Sequence, residues 1–175
     1  MSAFNGIPSD WLEDYDPNPV PPVPPKPAPK VEKSSKDDLK TMKIYSFGFR
    51  YGLKLDGTHT LYQASGSKER QAYQRFSLGG LSILVVDVRL ILPKNPYHNK
   101  ALRKLRGDDE EVILELEKTP GLESAYTELL GVLQANPYNE VYVGCTGGHH
   151  RSVYIANRLG ADLNCPVLHL NYNDK

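Results

Sequence analysis

Apolar residues along this chain come in short blocks separated by polar, proline-rich or glycine-rich stretches, and the spacing inside each block predicts its conformation. Residues 42–47, Met-Lys-Ile-Tyr-Ser-Phe, alternate and are rich in aromatic and β-branched types, which predicts a strand. Residues 81–88 form a largely apolar run that suits a strand buried on both faces. Further strands are expected at 140–144 and 165–170. Between them the period changes to that of a helix. Asp108, Asp109, Glu110 and Glu111 follow Gly107 and compensate the dipole of a helix that runs to Lys118 and stops at Pro120-Gly121. Leu122, Tyr126, Leu129, Leu130 and Leu133 share one face of a second helix, ended by Asn136-Pro137. A third helix follows the Gly147-Gly148 turn and carries Ile155, Ala156 and Leu159 inward. Strands alternating with helices predict a single α/β domain, three-layer-like, with a mainly parallel sheet of about four strands.

Two stretches interrupt this rhythm. Gly48 and Gly52 bracket Phe49-Arg50-Tyr51 as a turn, and both glycines are expected to serve backbone geometry. Residues 56–80 are polar and punctuated by glycine, an excursion from the scaffold with a short helix expected over 68–76.

The N-terminal part is different in kind. Residues 17–29 hold eight of the fourteen prolines, and Lys30, Lys33, Lys36 and Lys40 follow, so the segment favours a solvated polyproline II spacer. Ahead of it Phe4, Ile7, Trp11, Leu12 and Tyr15 sit among Asp10, Glu13, Asp14 and Asp16. The expected organisation is a disordered arm over residues 1–40, with an aromatic and acidic start able to dock on a protein partner, and an α/β domain over 41–175.

Charge narrows the function classes. Twenty-one basic residues balance twenty-one acidic ones, so electrostatic recognition has to be local. Two cysteines, no secretory-type start and no apolar stretch of bilayer length lead to the expectation of a cytoplasmic protein with no membrane partner. Cys145, Cys165, His149, His150 and His169 supply only half of the ligand spacing of a zinc site, so neither a metal nor a cofactor is expected. Homo-oligomerisation is left open.

The chemistry concentrates where the third strand enters the third helix. Cys145-Thr146-Gly147-Gly148-His149-His150-Arg151-Ser152 fits C-x-x-G-x-x-R-S, the phosphate loop of cysteine-dependent phosphatases. Unpaired amides at a helix start, small residues and a fixed cation make an anion site. In a phosphatase Cys145 would be the nucleophile and Arg151 the clamp on the phosphate oxygens. Gly144, however, stands where those enzymes usually carry a His, and Asp16-Pro17 in the arm is the only Asp-Pro pair; Asp87, Asp108 and Asp109 remain as candidate acids. In the plainer alternative Arg151 pairs with Asp87 and Cys145 is a small buried hydrophobe. Lys100, Arg103, Lys104 and Arg106 are candidates for RNA phosphates or, equally, a solvated loop neutralised by the acidic run after it.

Read with its flanks, Gly144-Cys145-Thr146-Gly147-Gly148-His149-His150-Arg151-Ser152-Val153-Tyr154-Ile155-Ala156 resembles the C-terminal domain of the RapZ family, bacterial adaptor proteins whose loop reads GCTGG-x-HRSVYIA. Ser46-Phe47-Gly48-Phe49-Arg50-Tyr51-Gly52, then Asp87-Val88-Arg89 with Pro93 and Asn95-Pro96, then Leu102-Arg103 with Gly107 and Asp109, follow that family's order. The resemblance implies a non-enzymatic regulatory domain that binds an amino-sugar phosphate and small regulatory RNAs and acts as an adaptor for a ribonuclease. It assigns the phosphate to Thr146, Gly147, Gly148, His150, Arg151 and Ser152, with Asp87 and Arg89 bordering the pocket. This chain departs from the family in three places: a longer 56–80 connection, one extra residue between Arg89 and Asn95-Pro96, and His169-Leu170 in place of a His-Arg pair. The GxxxxGK[ST] loop of the family's nucleotide-binding domain does not occur in the sequence, so ATP binding is not among the expectations.

Overall fold

A computed structural model describes residues 42–55, 60–61 and 70–171; the expected arm over 1–40 lies outside the described residues. In chain order the strands are β1 (Lys43–Gly48), β2 (Leu53–Lys54), β3 (Thr60–Leu61), β4 (Tyr73–Leu78), β5 (Leu81–Asp87), β6 (Glu140–Cys145) and β7 (Val167–His169). The α-helices are α1 (Val88–Ile91), α2 (Glu110–Glu117), α3 (Leu122–Ala135) and α4 (Arg151–Leu163), with single 3-10 turns at Phe49–Tyr51 and Pro96–His98. The main sheet has the order β4-β5-β6-β1-β7, while β2 and β3 form a separate antiparallel pair. Only β4 runs antiparallel in the main sheet.

This order explains where the helices sit. From β5 to β6 and from β6 to β7 the chain steps across the sheet in one direction, so right-handed crossovers put α2, α3 and α4 on one face. The path from β1 back to β5 runs the opposite way, and its covering residues fall on the other face. Strand alternation matches. Ile44, Leu84, Val86, Val141 and Val143 pack against Val112, Leu116, Tyr126, Leu129, Leu133, Ile155 and Leu159, whereas Phe47, Ile83, Val85 and Tyr142 pack against Phe49 and Leu53. Residues 83–86 are thus buried on both faces, as a continuous apolar strand segment requires, while Leu81 at the start of β5 is exposed.

The helix expected over 68–76 is not formed in its described part: Tyr73–Leu78 is a fifth, edge strand. Lys68, Glu69, Arg70, Gln71 and Ala72 are good helix formers, but Gly79 and Gly80 adopt φ of +57° and +81° and turn the chain back in two residues. Two positive-φ residues make the primed turn whose twist suits a hairpin, and Leu78 then pairs with Leu81. Pairing puts Phe76 and Leu78 over the thin cover and Tyr73 on the helical side.

β5 ends in a buried ion pair. Asp87 is 1% exposed and caps α1, its Oδ1 accepting the Arg89 N–H at 3.0 Å. The Arg89 side chain returns to the same carboxylate through Nε (2.8 Å) and Nη2 (2.6 Å), its guanidinium 4.2 Å from the centre of the Phe49 ring. Removing one partner of a buried pair strands the other charge. Asp87→Ala is expected to lower stability by about 3–5 kcal/mol, with Asp87→Ala/Arg89→Leu recovering part of the loss, as read by urea unfolding.

Candidate anion-binding site

The parallel strands end together, with Cys145 of β6 level with Gly48 of β1 and Gly144 level with Asp87 of β5. From that edge residues 146–150 turn into α4. Backbone packs directly on backbone here. A Cβ on Gly48 would lie 2.7 Å from the carbonyl carbon of Gly147, and one on Gly148, whose φ is +77°, would lie 2.7 Å from the Gly48 nitrogen. No side chain fits at either position. Gly144 is equally confined, because the Phe47 and Phe49 rings occupy the place of its missing side chain.

Hydrogen bonds pin this contact from both sides. The Arg50 N–H donates to the Thr146 carbonyl at 3.1 Å, and the Gly48 N–H donates to Asn171 Oδ1 at 2.8 Å. Ser46 Oγ and His169 Nδ1, 2.7 Å apart, tie β7 to β1 just behind. On the other flank the Gly107 N–H donates to the His149 carbonyl at 2.8 Å, and His150 Nε2–H donates to the Leu102 carbonyl at 3.2 Å.

Inside the loop, Cys145 Sγ accepts the Gly148 N–H at 3.2 Å and lies 3.2 Å from Ser152 Oγ. Arg151 is 5% exposed, and its Nη1 donates to the Leu92 carbonyl at 2.9 Å. Its Nε, also buried, meets no acceptor among the described residues. Burial pushes the Arg151 pKa below its usual value, Cys145 and Asp87 oppose that shift, and Arg89 adds to it. A buried cation with an unfilled donor favours an anion beside it.

A cavity of about 120 Å³ opens at this point, lined by Cys145, Thr146, Gly147, His149, His150 and Arg151 from the loop and by Arg50, Tyr51, Asn95, Tyr97 and Arg103 from the surrounding wall. None of these is a carboxylate. Of the residues named from sequence, Thr146, Gly147, His150 and Arg151 line the cavity. Gly148 and Ser152 stand behind it, bonded to Cys145. Asp87 and Arg89 stand further back as the buried pair, so Arg89 and not Arg151 takes the Asp87 carboxylate. Arg103 lines the cavity, Lys104 and Arg106 line an adjoining compartment, and Lys100 lines neither. Sequence reasoning passed over Arg50, Tyr51, Asn95, Tyr97 and His149 as wall residues. The available signal was topological, since ligands collect at the carboxyl ends of parallel strands and Arg50-Tyr51 directly follow β1. Among the described residues no three His, Cys, Asp or Glu side chains converge as metal ligands, and no helix is long and apolar enough to cross a membrane.

Two histidines beside the loop have a pKa below the usual 6.5: His150, through burial with partial opposition from the Leu102 carbonyl, and His169, through burial opposed by the charge of Asp108. Each ring resists protonation in the folded chain more than in the unfolded one. Between the depressed value and about 6.5 the unfolded state binds more protons, so stability is full above that window and falls as pH drops through it. Urea midpoints measured from pH 7.5 to 5.5 are expected to decline, and His169→Asn, which keeps a polar partner near Ser46, to remove part of the slope.

The family model of the RapZ C-terminal domain matches residues 79–173, which include β5, α1 to α4, β6, the loop and β7. A nucleotide-binding protein of Ectopseudomonas mendocina is 35% identical over 139 residues, spanning 66% of this chain and 48% of its own length. Nucleotide-binding proteins of Pseudothermotoga lettingae (32% over 127 residues; 67% of this chain, 36% of theirs) and Clostridium perfringens (33% over 139 residues; 74% and 38%) are similar in the same way. The chain spans less than half the length of each of these relatives. With its fold, its loop and the family match in agreement, this chain belongs to the RapZ C-terminal domain family.

Proposed function

We propose that this regulatory domain binds a phosphorylated small molecule, with the phosphate seated on the loop from Thr146 to Arg151. The observation that carries the reading is the Arg151 Nε, buried at a cavity with no carboxylate in its wall and without an acceptor among the described residues. A phosphate oxygen supplies that acceptor, and the start of a thirteen-residue helix adds its amides and dipole. The resemblance directs the ligand to the amino-sugar phosphates and adds small RNA and a ribonuclease as cytoplasmic partners. In an RNA complex Arg103, Lys104 and Arg106 would meet backbone phosphates beside the same cleft, with Lys100 close in sequence. The nucleotide in the relatives' names is a property of those longer proteins; a nucleotide here is part of the proposal only as a phosphorylated ligand of the loop.

One observation favours a second reading, a cysteine-dependent phosphatase. Cys145 Sγ receives the Gly148 N–H and adjoins the Ser152 hydroxyl, the position that the nucleophile of such a loop would take. The cavity wall lacks a carboxylic acid for the leaving group, and one candidate, Asp87, is held by Arg89. Binding is therefore the leading reading.

Titration calorimetry with inorganic phosphate and glucosamine 6-phosphate is expected to show saturable binding by the full chain. Arg151→Lys keeps a charge and a donor for the Leu92 carbonyl but loses Nε, so it is expected to weaken binding by about tenfold or more. Absence of binding by the native chain overturns the proposal. An aryl phosphate is expected to show no turnover above buffer; turnover abolished by Cys145→Ser would establish the phosphatase reading instead.

A further inference from the structure

β4 belongs to the 56–80 stretch that is longer here than in the family, and it gives the sheet an open edge. Edge strands are commonly blunted by a bulge, a proline or several charges. β4 pairs with β5 over all six of its residues without a bulge, holds no proline and carries Arg75 as its single charge. Even that charge is drawn aside, the Arg75 Nε donating to the Tyr138 hydroxyl at 2.8 Å. The opposite edge, β7, has only three residues.

One bond fixes the direction of every backbone group along β4. The Asp87 N–H donates to the Ala72 carbonyl at 2.9 Å, so Ala72, Gln74, Phe76 and Leu78 aim their backbone groups at β5. Tyr73, Arg75 and Ser77 aim theirs outward, and none of these outward groups meets a backbone partner among the described residues. The side chains divide between the two faces. Tyr73 packs on the helical side, whereas Phe76 and Leu78, both half-buried, stand at the rim of the smaller cluster around Phe47, Ile83 and Val85. A strand laid against β4 satisfies the outward groups and extends that cluster.

We infer that β4 is a docking edge for a second copy of this chain, the two β4 strands running antiparallel about a two-fold axis at Phe76 and joining two five-stranded sheets edge to edge. Such an edge is complementary to itself, because the outward amides and carbonyls of one copy meet the carbonyls and amides of the other at matching intervals. Charge selects the register. An axis at Arg75 would set the two Arg75 residues directly opposite each other, whereas an axis at Phe76 puts each Arg75 opposite the other copy's Ser77. An axis at Gln74 also separates the arginines but pairs two amide side chains. At Phe76 the two rings form a non-hydrogen-bonded pair, the closer of the two antiparallel spacings, and the small apolar clusters of both copies become continuous. Both β4 edges are then used, so the assembly closes as a dimer.

Sedimentation equilibrium on the full chain tests this, with a reversible monomer–dimer equilibrium expected. Ser77→Pro removes an outward N–H and touches no bond to β5, so it is expected to weaken the dimer about tenfold or more while the urea midpoint at low protein concentration holds. Ser77→Lys faces Arg75 in both halves of the two-fold and is expected to weaken the dimer about tenfold; Ser77→Glu is expected to tighten it by about the same factor. A chain that stays monomeric up to its solubility limit overturns the inference and leaves the edge to an extended segment of another protein. A dimer indifferent to all three substitutions also overturns it, since the contact then lies elsewhere. Equal weakening by Lys and Glu removes the Arg75–Ser77 register, and growth into open-ended assemblies removes the closed two-fold; either result overturns the inference as well.

Discussion

The backbone of Gly48 rests on the backbone of Gly147 and Gly148, and the whole site follows from that contact. It brings the end of β1 against the loop that follows β6, which allows the Arg50 amide to reach the Thr146 carbonyl and sets Arg50 and Tyr51 beside the cavity. Asn171 closes the same contact from the end of the described chain by accepting the Gly48 N–H. A side chain at either glycine would push the two backbones apart and carry the cavity wall with them. The left-handed φ of Gly148 also turns its N–H onto Cys145 Sγ, so one conformation shapes the loop and occupies the sulfur.

Around this contact the fold concentrates positive charge where solvation is poor. Arg89 and Arg151 are both buried and both interact with Asp87, but Arg89 holds the carboxylate through two side-chain bonds, leaving Arg151 with a backbone carbonyl. Two guanidinium groups facing one carboxylate leave an unbalanced cation in a low-dielectric setting, and the proposed anionic ligand would restore the balance. Ligand binding and stability are then linked: an anion that occupies the loop stabilises the folded state in proportion to the logarithm of its concentration over its dissociation constant.

Much of the scaffold was legible from local pattern because its elements are long or strongly periodic. The Leu122-Tyr126-Leu129-Leu133 face carries the helical period, and the 81–88 run and the strand-turn-helix around Gly147-Gly148 are short apolar segments bounded by turn residues; each forms nearly where its residues place it. β4 was not legible. The residues just before it, 68–72, favour a helix taken alone, and the Gly79-Gly80 turn with the open edge of β5 outweighs that preference. The same division runs through the site. Arg151 and the loop glycines lie within a single contiguous motif, whereas Arg50 comes from the connection after β1 and Asn95, Tyr97 and Arg103 from the connection between α1 and α2, two segments that meet only at the sheet's end.

The sequence by itself determined the α/β class, the helix faces and the strand-turn-helix form of residues 140–163, because each depends on residues within a few positions of one another. The tertiary structure alone decided which cation takes the Asp87 carboxylate, which side chains wall the cavity and that this wall lacks a carboxylate. Those outcomes depend on strand order and register, and both are set by how the whole core packs. Asp87 and Arg89 show the difference most simply: one ends β5 and the other lies in the first turn of α1, and both read as pocket residues, yet burial makes either charge costly without the other and they pair instead.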